Sequence, residues 1–298
     1  WMQLCNRLLQ MTGNSLYADY METAIYNALM ASLKADASQI AKYSPLEGWR
    51  HEGEEQCGMH INCCNANGPR AFAMIPQFAY QVQDDCVRVN FYAPSEAELV
   101  LPGKKPVRLK QTTDYPQTDQ IEIEVDPAKE TAFTIALRIP AWSKIAVVSV
   151  NGQPQDGVLQ GAYLPVNRKW KKGDRITVKL DLRARLVERN QAQAIVRGPV
   201  VLARDSRFGD GFVDEASVVV SKDGYVELTP VKTPGFAWLA FTAPMVLGTD
   251  LESNRAPKQI HFCDFASAGN TWDKTQRYRV WLPKTLNVMH SPYRPYNQ

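Results

Sequence analysis

Apolar residues recur at helical spacing over the first third of the chain, whereas beyond Val87 they alternate with polar ones, so helices followed by strands are predicted. Trp1, Leu4, Leu8 and Met11 share one helical face, and Gly13 stands where a helix C-cap falls. The chain is therefore expected to open inside a helix begun upstream. A second helix follows from a cap at Asn14 or Ser15, with Leu16, Tyr20, Ala24, Ile25, Leu29 and Leu33 in step. An irregular stretch from Ser38 to Asn62 carries Pro45, Gly48, Gly53 and Gly58, and a short helix is predicted from Asn67 to Phe78. A long irregular stretch in a compact region is usually functional or disordered, and this one leads straight into two adjacent cysteines.

From Val87 the runs VRVNFY, QIEIEV, AFTIALRI and RITVKLDL are short, β-branched and often alternating, and turn signals such as PGKKP, NGQPQDG and KKGD separate them. That rhythm predicts a β-sandwich. A second β-rich block begins near Ala194 with IVRGPVVLA and continues through YVELTPV, WLAFTAP and YRVWLP. The polar NQAQ at Asn190 to Gln193 marks the expected boundary.

Composition narrows the function classes. No apolar run approaches the ~20 residues that a membrane span needs. The formal net charge of the 298 residues is +3, and the basic residues are scattered and form no stripe, which argues against a nucleic-acid partner. Trp1 has no basic leader before it, so residues that complete a site upstream are expected to be missing. Cys5, Cys86 and Cys263 are widely spaced and read as single buried apolar residues.

The run CGMHINCCNANGPR, from Cys57 to Arg70, carries the candidate chemistry. Three readings of Cys63 and Cys64 stay open: small buried residues at a helix start, a strained vicinal disulfide, or metal ligands. Thiolates suit zinc, a tetrahedral site needs about four donors, and Cys57, His60, Cys63 and Cys64 place four candidates close together. A cation and a helix N-terminus both favour the thiolate, which is a nucleophile. No G-x-S-x-G, H-E-x-x-H or phosphate-binding glycine loop competes with it.

SPLEG (Ser44 to Gly48), CGMHINCCNANGPR, FYAPSEAEL, LRIPAW, YLPVNRKWKKGDRI, RGPVVLA and DFASAGNTWDKTQRYRVWLP together resemble glycoside hydrolase family 127 and its relatives, the zinc-dependent, cysteine-nucleophile β-L-arabinofuranosidases. The resemblance implies a mixed, mainly β chain, the tail of an (α/α)6 barrel followed by two antiparallel β-sandwiches. Residues 1–82 would hold the last barrel helices and the active-site loop, 83–192 the first sandwich and 193–298 the second. Cys63 would be the nucleophile and a zinc ligand, and Cys64 a zinc ligand. The other ligands, from a Glu-x-Cys motif, and the acid/base glutamate would lie upstream, although Glu55 to Cys57 offers a superficial Glu-x-Cys. His60 and Tyr43 are candidate sugar-binding residues. An arabinose-containing plant glycan or oligosaccharide and the remainder of the barrel would be the partners, in a periplasmic or secreted setting. The alternative is a non-catalytic β-sandwich module that binds glycan or another domain, with Trp142, Trp170 and Trp272 as contact candidates, although tryptophans of such sheets are more often buried.

Overall fold

The structure, a computed structural model, describes residues 1–52, 63–248 and 256–285. Among the described residues strand accounts for 41% and helix for 18%, so sheets supply most of the core. Two compact units emerge, one made of residues 1–29 and 63–182, the other of residues 30–62 and 183–298.

In the first unit, helix α1 (Met2–Thr12) ends at Gly13, whose φ of 68° is left-handed and whose N–H bonds back to Leu9 O, as the C-cap expectation requires. Its buried residues are Cys5 and Leu9, whereas Trp1, Leu4 and Met11 lie outside at 69%, 53% and 81% exposure. The apolar face read from the sequence is thus not the face that this unit covers. Helix α2 (Leu16–Ala24) continues into a π-helical turn, Ile25–Leu29, and is shorter as an α-helix than the spacing predicts. Helix α3 (Cys64–Ala79) begins three residues before the expected Asn67.

Two sheets share one core in this unit. The strands Ala162–Trp170, Thr131–Ile139, Cys86–Val89 and Tyr80–Gln83 form a four-stranded sheet, and six strands between Ser95 and Lys179 form the other. Val87, Ile135 and Leu137 from the first meet Leu109, Ile123, Val125 and Ile176 from the second in one buried cluster. Period-2 burial explains this: Gln120–Pro127 alternates strictly between inward apolar and outward polar residues. The expectation of wholly antiparallel pairing needs one correction. Cys86–Val89 runs parallel to Thr131–Ile139, which is possible because the strands from Ser95 to Pro127 intervene and supply the long crossover that parallel neighbours need.

The second unit is built on an eleven-stranded sheet whose main path runs Ser217–Val219, Ala240–Leu247, Lys258–Asp264, Val200–Asp205, Ala192–Arg197, Ala184–Arg189 and Tyr225–Val226. Ala184–Arg189 pairs antiparallel with Ala192–Arg197, and Asn190 and Gln191 between them have φ of 46° and 60°. Two consecutive positive φ values make a tight hairpin turn of the type that matches strand twist. The polar stretch expected to separate two domains is therefore a turn inside one, and the division between units falls after Leu182.

Candidate functional site

The double cysteine sits at the start of α3. Cys63 is the N-cap residue and is exposed, whereas Cys64, the first helical residue, is half-buried. Adjacent residues on a helix point about 100° apart, which accounts for the different exposures of the two residues. Among the described residues no disulfide joins them. The carbonyl of Cys63 accepts from the Asn67 N–H at 2.9 Å and the Ala66 N–H at 3.2 Å, and from Asn67 Nδ2 at 3.1 Å. Arg70 Nη2 donates to Asn67 Oδ1. The Asn-x-x-Arg that follows the cysteines is thus a local brace: it fixes the turn that carries Cys63 by satisfying an acceptor at the helix start.

The far end of α3 is tied to the four-stranded sheet. Asn90 Nδ2 donates to Phe78 O at 2.9 Å, and the Asn90 N–H donates to Ala79 O at 2.8 Å, so helix carbonyls that would be orphaned are satisfied. Tyr163 Oη donates to Asn90 Oδ1 at 2.5 Å. From this anchored end the 16 residues of α3 carry Cys63 roughly 24 Å along the helix axis.

Helix α2 is held by charge. Arg138, on Thr131–Ile139, is fully buried; its Nη1 meets Asp19 Oδ1, its Nη2 donates to Glu22 Oε1 at 2.6 Å, and its Nε donates to Asn90 O at 2.6 Å. Asp19 Oδ2 also accepts from the Ala141 N–H at 2.9 Å, and Tyr115 Oη donates to Glu22 Oε1 at 2.9 Å. Desolvation holds the Glu22 carboxyl above its ordinary range, although Arg138 pulls the other way. Burial likewise pushes Tyr163 up to about 12. The loss of hydration on burial is thus the main reason why Glu22 favours its proton, and the neighbouring Asp19 carboxylate adds a smaller push in the same direction. The sequence signal for this cluster was two acids three apart on the inner face of an otherwise apolar helix, and apolar periodicity alone passes over it.

The described segment up to residue 52, earlier in the chain than the cysteines, belongs to the second unit. Glu47–Gly48 pairs antiparallel with Tyr278–Arg279, the Val280 N–H donates to Leu46 O at 2.8 Å, and Tyr278 Oη donates to Pro45 O at 2.6 Å. Arg50 is wholly buried. Its guanidinium lies 4.7 Å from the Phe265 ring and 5.0 Å from the Tyr278 ring, and it donates to the carbonyls of Ala31, Phe265 and Ala266. Tyr43, the sugar-binding candidate of this unit, is 64% exposed. His60, Cys57, Glu54 and Glu55 lie outside the described residues.

For a metal, the described residues supply the adjacent thiols of Cys63 and Cys64 and no group of three or more His, Cys, Asp or Glu side chains. The soft donors fit zinc in kind and fill half of a tetrahedral set. Of the tryptophans considered for glycan contact, Trp170 is corrected to a core residue: it is fully buried, with Nε1 donating to Phe133 O at 3.0 Å. Trp142 and Trp272 are half-buried.

Residues 1–77 match the family model of the β-L-arabinofuranosidase GH127 catalytic domain, and residues 86–182 that of the GH127 middle domain. The non-reducing end β-L-arabinofuranosidase of Bifidobacterium longum subsp. longum is 26% identical over 222 residues, which cover 65% of this chain and 32% of that protein. A solved GH127 β-L-arabinofuranosidase from Geobacillus stearothermophilus T6 superposes with a TM-score of 0.77 at 22% identity, over 94% of this chain and 48% of that one. A solved GH127 β-arabinofuranosidase gives a TM-score of 0.78 at 23% identity, over 95% and 48%. Fold and sequence together thus define a glycoside-hydrolase-type chain, helices first and sheets after. It belongs to the GH127 family, of which it carries catalytic-domain and middle-domain sequence. The chain spans about a third of the length of the curated relative and about half that of the solved ones.

Proposed function

We propose that the chain forms part of a retaining glycoside hydrolase acting on β-L-arabinofuranosides, with Cys63 as nucleophile and Cys63 and Cys64 as two ligands of a zinc ion. The observation that carries this reading is an exposed cysteine at the N-cap position of a braced 16-residue helix, within the stretch that matches the family's catalytic domain. A bound zinc ion would keep its thiol ligands deprotonated. Retaining enzymes ordinarily pair two carboxyl groups; here Cys63 Sγ replaces one of them. The sulfur attacks the anomeric carbon, a C–S bond forms, and the bond to the leaving oxygen breaks as a carboxylic acid from outside these residues gives that oxygen its proton. In the second step the same carboxylate takes a proton from water, whose oxygen displaces Cys63 and releases the sugar. Tyr43 exposes its ring and hydroxyl, as a sugar-contacting residue must, and with His60 it is assigned that role.

In this reading residues 1–82 are the end of an (α/α)6 barrel, and the sheets that follow are two sandwich domains. The outward apolar residues Trp1, Leu4, Met11, Leu16 and Tyr20 support the barrel assignment, since a face of that kind calls for further helices against it. An arabinose-containing plant glycan or oligosaccharide is the partner. The burial of Trp170 weighs against a stand-alone glycan-binding module.

The test uses the intact protein that carries this chain. Wild type should hydrolyse an aryl β-L-arabinofuranoside and hold stoichiometric zinc, Cys63→Ser should lose at least about a thousandfold in kcat, because a hydroxyl is a poor substitute for a thiolate, and residues 1–298 alone should be inactive and bind zinc weakly. A Cys63→Ser enzyme of normal rate, or clear turnover by residues 1–298, would refute the assignment.

A further inference from the structure

We propose that Asn90 is a positioning residue for the proposed nucleophile, acting through helix α3, and that Tyr163 holds its amide in the orientation this needs. The inference rests on the function proposed above. Every residue it uses lies in the first unit. Asn90 is buried, and each of its polar groups is engaged. Its Nδ2 donates to Phe78 O at 2.9 Å and its N–H to Ala79 O at 2.8 Å, on the last two residues of α3. Its Oδ1 accepts from Tyr163 Oη at 2.5 Å. Its backbone oxygen accepts at 2.6 Å from Nε of Arg138, the guanidinium that also holds Asp19 and Glu22 of α2. The polarity of this set is fixed. A carbonyl oxygen only accepts, so the amide turns its nitrogen to Phe78 O, and the phenol donates to the oxygen on the other side. An aspartate has no donor to offer and a leucine has neither group.

An anchor matters at this end of the helix because of Pro76. Its ring nitrogen carries no hydrogen, so the Phe72 carbonyl loses the helical donor four residues on, and the last turn becomes the weak point of α3. The bonds from Asn90 close that turn from outside, and the chain then passes directly into the strand Tyr80–Gln83. Cys63 stands at the opposite end, roughly 24 Å away along the axis. Over that length a tilt of about 2° moves the helix start by about 1 Å, and a misplacement of about 1 Å can cost about a hundredfold in rate. Asn90 thus sets the direction of a lever whose tip is Cys63, and through Arg138 it refers α2 to the same point. The turn at the tip is braced separately by Asn67 and Arg70, so a change at Asn90 moves Cys63 with its turn intact.

The experiment compares wild type, Asn90→Ala, Tyr163→Phe, the double variant and Ile123→Val in the intact protein by aryl β-L-arabinofuranoside kinetics, thermal unfolding, and the rate at which iodoacetamide alkylates Cys63, read by peptide mass mapping. Ile123 lies in the same core on the other sheet, so Ile123→Val shows what lowered stability does by itself. For Asn90→Ala the expected result is a kcat at least about tenfold lower with KM within about threefold, and Cys63 alkylation at least about threefold faster. Tyr163→Phe shifts both in the same direction by less, and the double variant matches Asn90→Ala within about twofold, because Tyr163 acts through Asn90. Ile123→Val keeps the wild-type kcat and alkylation rate. Wild-type kcat and alkylation in Asn90→Ala would overturn the proposal, as would a Tyr163 effect that adds in full to that of Asn90, or equal changes in Ile123→Val. Tyr163 is only half-buried, so Tyr163→Phe folds even if Asn90→Ala does not, and wild-type rates in it then overturn the proposal. Failure of wild type to hydrolyse the arabinofuranoside would instead refute the proposed activity, and the alkylation rates would still decide whether Asn90 acts on Cys63.

Discussion

Arg138 ties α2 of the first unit to its four-stranded sheet. It has no exposed surface, and it holds two carboxylates from α2 and a carbonyl from the sheet at once. Removing one partner from such a cluster leaves buried charge uncompensated, which typically costs about 3–5 kcal/mol. Arg138→Met is therefore expected to destabilise by that amount at neutral pH, and by less in acid, where Glu22 is held protonated; denaturant titration at two pH values measures both. Glu22 gives a pH dependence of definite sign. Desolvation raises its folded-state pKa above that of the unfolded chain. The folded state therefore binds the extra proton over that window, and the stability this contributes is present at low pH and lost as pH rises through the folded-state pKa. The advantage of wild type over Glu22→Gln should shrink from about pH 4.5 upward, and an advantage that grows with pH would contradict this reading of the cluster.

At the scale of elements, the sequence was most legible where periodicity and burial coincide. The strand Gln120–Pro127 and the C-cap at Gly13 could be read directly, because alternation and a left-handed glycine each have one structural cause. The start of α3 was read three residues late, since CCNA contains no apolar periodicity and the signal there is the brace from Asn67 and Arg70 to the Cys63 carbonyl. Asn190 and Gln191 were read as part of a domain boundary because polarity marks boundaries and hairpin turns alike, and only backbone φ separates them. The parallel pairing of Cys86–Val89 was invisible, because alternation says which face is buried and not which strand is the neighbour. One turn bears on the segment from Pro45 to Arg50. Gly269 has φ of +60°, and a Cβ there would lie 2.6 Å from Tyr278 Cδ1. Gly269→Ala is therefore expected to strain the backbone and displace the ring that holds Pro45 and Arg50, at a cost on the order of 1–3 kcal/mol. Denaturant unfolding measures it, and a neutral substitution would mean that the ring moves freely.

For the whole molecule, the order of helices then sheets and the family were legible from motifs spread along the chain, and the solved relatives share the fold over nearly all of it. The candidate site was legible only in part. Cys63 and Cys64 stood out because adjacent cysteines are chemically unusual, whereas Arg50, Glu47 and Arg279 carry no local motif and acquire meaning only when the sheet brings residues near 47 and 279 together. The central claim concerns one sulfur, and trapping the intermediate tests it most directly. The intact protein is quenched in acid during turnover of an activated β-L-arabinofuranoside, digested and mapped by mass. The expected result is one arabinofuranosyl unit on the peptide containing Cys63, absent from the Cys63→Ser enzyme; the same sugar on a carboxylate side chain, or turnover with Cys63 never modified, would contradict the account.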